Sequence, residues 1–125
     1  MTELSDSELT VLERAALDAA LSGSSVWLSA LRSQVPKLRV AARKYTGYGF
    51  FTDFSCNGCV PATGLPPQGS SERVPVAWAS HPEVENGGAG AISFNVFLKD
   101  GVIACLEAAS TSQWPDTEER IVFDA

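Results

Sequence analysis

Cys56-Asn57-Gly58-Cys59 is the stretch whose residue types point most directly to chemistry, because two cysteines at this spacing can bind a metal, exchange with a dithiol or sit idle in a turn. A redox-active pair wants its first thiol at the start of a helix, where the N-terminus lowers its pKa. Here Val60-Pro61 and a Gly/Pro-rich segment follow, so a turn bearing two free thiols is expected. Together with His81 and Cys105 the pair makes a Cys3His set acceptable to tetrahedral zinc. Cys105 falls inside a strand pattern, however, and a second close pair of ligands is missing, so no metal and no cofactor is expected.

Just upstream, Gly47 and Gly49 flank Tyr48. A dinucleotide loop needs a third glycine and a helix whose N–H groups face the phosphates, but Phe50, Phe51 and Thr52 follow, so a turn or bulge at the start of a strand is expected. His81 is the only histidine, and any ordinary acid–base scheme must use it, for instance with Cys59 and Asp53. It precedes Pro82 in a polar loop, which predicts solvent exposure, and no Gly-x-Ser-x-Gly elbow is present. No residue is therefore assigned a catalytic role; a small hydrolase or transferase using His81 with a cysteine or carboxylate is the alternative reading.

The elements that must position these residues follow from periodicity. Ser5 and Glu8 fit a capping box, predicting a helix from near Asp6 with Leu9, Leu12, Ala16 and Ala19/Ala20 as its apolar stripe and Gly23 as its stop. Ser24 or Ser25 caps a second helix that buries Trp27, Leu28 and Leu31, and Pro36 ends it by biasing Val35 toward extended backbone. From Lys37 the period becomes two, with Leu38, Val40 and Ala42 inside and Lys37, Arg39 and Arg43 on the wet face. Phe50–Phe54 forms the next strand, and Pro75 makes Arg73–Ala79 an edge strand.

Two apolar runs around Asp100-Gly101 predict a type I′ hairpin, and Ile121–Phe123 a short last strand. Counting back from the turn pairs Leu98 with Ile103, Val96 with Cys105 and Phe94 with Glu107. That register puts a carboxylate, Glu107, in an apolar row, where it needs Arg39, Arg43 or a backbone donor, or else contacts a ligand in a pocket lined by Phe50, Phe94 or Trp78. The fold class is α+β: one domain over residues 1–125, two N-terminal helices packed on one twisted, mainly antiparallel sheet of five or six strands.

Composition narrows the partner. The 125 residues carry a net charge of −6, yet the 32–44 segment holds five bases and no acid, while residues 45–125 hold ten acids and three bases. An exterior of this kind disfavours nucleic acid and anionic membranes and favours a basic partner. With no long apolar run, an acidic start and three cysteines, the chain is expected in the cytoplasm, with no membrane association.

Thr46-Gly47-Tyr48-Gly49-Phe50-Phe51-Thr52, Gly88-Ala89-Gly90, Phe94–Leu98 with Asp100-Gly101, Leu106-Glu107 and Trp114-Pro115 together resemble small bacterial α+β proteins. Some of these resemble immunity proteins encoded beside polymorphic toxins. The resemblance implies a cytosolic inhibitor that binds a basic toxin domain. Its expected contacts here are Asp53, Glu72, Glu83, Glu85, Asp116, Glu118 and Glu119, with Tyr48 and Trp114 as aromatic anchors and Glu107 as a possible ligand contact.

Overall fold

The computed structural model describes residues 7–84 and 91–124. Helix α1 (Val11–Ala20) starts five residues later than the Ser5 reading placed it; Ser5 itself lies outside the described residues. Its capping box is Thr10/Glu13: the Thr10 hydroxyl accepts from the Glu13 amide at 3.0 Å, and Glu13 Oε1 accepts from the Thr10 amide at 2.8 Å. The first turn thus loses two of its unpaired donors. At its other end, Arg32 donates from the second helix to the carbonyls of Leu21 and Gly23.

Helix α2 spans Val26–Gln34. Pro36 does not force Val35 out of helical backbone. The chain tightens instead into a 3-10 turn, Val35–Lys37, in which the missing N–H of proline costs nothing at the first positions.

The strands are β1 (Leu38–Tyr45), β2 (Gly49–Cys56), β3 (Val76–Ser80), β4 (Ile92–Lys99), β5 (Val102–Ser110) and β6 (Val122–Phe123). They form one antiparallel sheet in the order β1-β2-β5-β4-β3-β6, an α+β fold with both helices in the N-terminal part. β3 is shielded from the sheet edge only by the two residues of β6. The Asp100-Gly101 turn has φ of 52° and 78°, as a type I′ hairpin requires.

The helices cover one face. Helix α1 packs on β3 and β4, and α2 on β5. Leu17, Leu21 and Leu31 are fully buried against Leu38, Phe94, Val96, Ile103 and Leu106, and each such side chain contributes about 2 kcal/mol by leaving water.

Two bulges correct the sequence reading of which side chain faces where. In β1 the register shifts between Val40 and Ala42, so Ala41 is extra and Arg43, expected on the wet face with Arg39, turns to the helix side. In β5 the shift lies between Ile103 and Cys105, making Ala104 the extra residue. Val96 therefore pairs with Leu106, Phe94 with Ala108 and Asn95 with Glu107. Cys105 and Glu107 leave the aliphatic row for the opposite face, because one added residue inverts a period of two.

Candidate functional site on the uncovered sheet face

Strand register places three rows on the face that no helix covers. Lys44, Phe51, Glu107, Asn95 and Val76 follow one another across β1, β2, β5, β4 and β3. Ala42, Asp53, Cys105 and Phe97 make the next row, and Ala109, Ser93 and Trp78 the third. Trp78 stays 50% exposed and Phe97 38%, in strands whose other side is core. Large aromatic side chains left in water on an ordered sheet, with carboxylates on the strands beside them, have the composition of a contact surface.

The polar groups on this face are weakly tied. Asn95 Nδ2 stands 3.4 Å from Glu107 Oε1, and Glu107 is half-buried rather than enclosed. Phe50 and Phe94 lie on the helix side, so they cannot share a pocket with Glu107 and Trp78, which lie on the other. Burial pushes the Cys105 thiol up, and the hydrogen bond to Asp53 and the charges of Asp53 and Glu107 push further, to about 11. A thiol so disposed stays protonated at neutral pH and makes a poor nucleophile and a poor metal ligand.

The other chemistry-bearing residues are kept apart. Cys56 and Cys59 are joined in a disulfide, not left as free thiols. His81, expected in solvent, is 1% exposed. Its Nδ1 accepts from the Glu83 amide at 3.0 Å, which leaves the proton on Nε2 to be donated to the Thr117 carbonyl at 2.8 Å. The ring so pins the turn after β3 to the segment before β6. Among the described residues, no group of three or more His, Cys, Asp or Glu side chains could hold a metal ion.

Of the acidic contacts read from the sequence, Asp53 lies on the uncovered face and Glu72 is exposed in the turn before β3. Glu83, Asp116, Glu118 and Glu119 belong to the two segments that His81 joins, where Glu83 Oε2 accepts from the Thr117 hydroxyl at 3.1 Å. Glu85 lies outside the described residues. Tyr48 projects from the β1–β2 turn, 61% exposed. Trp114 points inward: it meets Phe50 and Phe94 edge-on at 5.6 and 6.1 Å, and its Nε1 donates to Glu118 Oε2 at 2.8 Å.

Two polar hubs escaped the sequence reading. Glu13 is fully buried and accepts from Arg43 Nε at 2.9 Å, Arg43 Nη2 at 2.8 Å and the Thr52 hydroxyl. Burial pushes its carboxyl up, but the bonds from Arg43, Thr52 and the Thr10 amide, with the Arg43 charge, outweigh burial and hold it below the ordinary carboxylate range. The signal was there: Thr10-x-x-Glu13 is itself a capping box, and Glu13 shares the stripe of Leu9, Ala16, Leu17 and Ala20. Gln34, also buried, donates to the Val60 and Gly101 carbonyls at 2.9 and 3.0 Å and accepts from the Ile103 amide at 3.0 Å. It ties α2 to the hairpin and to the loop after Cys59, and nothing in the local pattern marks it.

No protein-family model matches the chain, and comparison with curated proteins and with solved structures found no significant match. No helix among the described residues is long and apolar enough to cross a membrane.

Proposed function

We propose that the chain is a non-enzymatic, cytoplasmic binding protein, an immunity-type inhibitor that docks on a basic toxin domain. The observation that carries this reading is the uncovered sheet face, where Trp78 on β3 and Phe97 on β4 stand in water, with Glu107 on β5 and Asp53 on β2 to one side of them. Aromatic side chains on a rigid sheet lose little freedom on binding, and the carboxylates beside them accept from lysine or arginine of the partner. The acids over residues 45–125 speed encounter with a cationic surface, and the exposed aromatics slow its departure. His81 supports a binding role over an acid–base one, since both ring nitrogens are engaged with the backbone in holding two loops together.

The test is co-purification with the protein encoded beside it, followed by binding kinetics at several salt concentrations. Trp78→Ala is expected to weaken binding about 30-fold, the equivalent of about 2 kcal/mol, mainly through faster dissociation. Glu83→Lys with Asp116→Lys should slow association and flatten its salt dependence. Failure of the neighbouring protein to bind removes the inhibitor reading. Unchanged affinity in Trp78→Ala and Phe97→Ala removes the sheet face as the contact surface.

A further inference from the structure

The Cys56–Cys59 disulfide does little for stability as a staple. It closes a short ring, its cysteines only 3 positions apart, so it removes little freedom from the unfolded chain. The turn is also held without it: β2 enters on one side, and on the other the Val60 carbonyl accepts from Gln34 while the Ala62 amide donates to the Gly101 carbonyl at 2.8 Å. The two Cα atoms, 5.7 Å apart, are thus fixed within bridging distance by the surrounding fold. A bond that can open without releasing its ends is suited to exchange.

The surroundings also favour exchange. Asn57 and Gly58 are exposed at the tip of the turn, and both cysteines are partly exposed. Cys56 lines a surface pocket of about 290 Å³ together with Phe54, Lys99, Asp100, Val102, Ile103 and Ala104. On the Cys59 side, Lys37 Nζ reaches the Gly58 carbonyl at 3.3 Å, which sets an ammonium one residue from Cys59. The two sulfurs therefore differ: one borders a pocket bearing both a cation and an anion, and the other follows the residue whose carbonyl Lys37 holds.

We propose that Cys56–Cys59 is a thiol–disulfide exchange site for a small peptide thiol carrying both a carboxylate and an ammonium group, received in the pocket by Lys99 and Asp100. The incoming thiolate bonds to Cys56 Sγ, the Cys56–Cys59 bond breaks, and its electron pair leaves on Cys59 as a thiolate, one residue from the carbonyl that the Lys37 ammonium holds. A second thiolate then attacks the mixed disulfide at the peptide sulfur. This releases the oxidised peptide dimer and a Cys56 thiolate, and the thiolates take up the two protons that the peptide thiols gave. The pair is thereby reduced by two electrons, while Cys105, across the sheet beside Asp53, takes no part.

The experiment uses the full chain with Cys105→Ser and reduced glutathione as probe. The reaction is quenched in acid at intervals, and the adduct is mapped by peptide mass. The expected adduct sits on Cys56, with one new thiol at Cys59, and Lys99→Gln slows its formation about threefold at low salt, a difference that high salt erases. An adduct on Cys59 or on both sulfurs equally, a rate indifferent to Lys99, or three free thiols in the air-oxidised wild-type chain each overturn the proposal.

Discussion

Replacing Glu13 by glutamine exchanges one carboxylate oxygen for an NH2 group at the most heavily bonded buried side chain among the described residues. The carboxylate accepts from the Thr10 amide, from two nitrogens of Arg43 and from the Thr52 hydroxyl. A carboxamide offers one oxygen to these donors and turns its own N–H groups toward the rest, so Arg43 loses the charge of the Glu13 carboxylate. Breaking a buried pair from one side costs about 3–5 kcal/mol, and because the Arg43 side chain is 20% exposed and can draw on water, the lower end, about 3 kcal/mol, is expected for Glu13→Gln. That is a large share of the roughly 5–15 kcal/mol by which a domain of this kind is stable.

Urea unfolding of Glu13→Gln, Arg43→Met and the double variant measures both the loss and the coupling, expected at about 2 kcal/mol. The pH dependence adds a second check. The folded carboxyl titrates below the ordinary range, so the unfolded chain takes up the proton first as pH falls. The stabilisation is complete above the unfolded pKa, about 4.3, and is lost as pH drops from there through the folded value. Glu13→Gln should flatten the slope of stability against pH in that acid window, while at higher pH its curve runs parallel to wild type and lower by the full loss. A loss under about 1 kcal/mol with no coupling, or an acid slope identical to wild type, would refute the account of this network.

Three further outcomes are expected. Gly49→Ala should prevent folding or cost more than about 3 kcal/mol by thermal unfolding, because its Cβ lands 1.7 Å from the Ala108 carbonyl oxygen on the paired strand, which cannot retreat without breaking the ladder. Gln34→Leu strands the Ile103 amide, removes the side-chain donor of the Val60 carbonyl and leaves the Gly101 carbonyl with the Ala62 amide alone, for a loss of about 2–3 kcal/mol, and the Ile103 amide should exchange with deuterium much faster. Asp53→Asn removes a hydrogen-bond partner and a charge that raise the Cys105 thiol, so its titration, followed by thiolate absorbance, should fall from about 11 toward the ordinary thiol range. A Cys105 titration that stays at its wild-type position would assign the shift to burial alone.

How far the sequence was legible can be judged element by element. The hairpin at Asp100-Gly101, the stripe of α1, the Gly49–Cys56 strand and the α+β class all follow from local rules, since turn chemistry and hydrophobic period act over a few neighbouring residues. The sites did not follow as well. Ser5-x-x-Glu8 and Thr10-x-x-Glu13 are equally good capping boxes by local rules, and it is Glu13, not Glu107, that occupies the buried place. His81 read as exposed because Pro82 and Glu83 are polar-loop neighbours, whereas its partner Thr117 lies 36 residues away.

The sequence by itself determined which segments become helix or strand, where the chain reverses, and that the exterior carries net negative charge. Only tertiary structure decided which side chains meet. Past Ala41 and Ala104 a single unpaired residue inverts the alternation, sending Arg43 inward to Glu13 and Cys105 and Glu107 outward beside Asp53 and Phe97. The physical reason is that a strand's period is two while a bulge adds one, and whether a ladder accepts that extra residue depends on strands and helices distant in the chain.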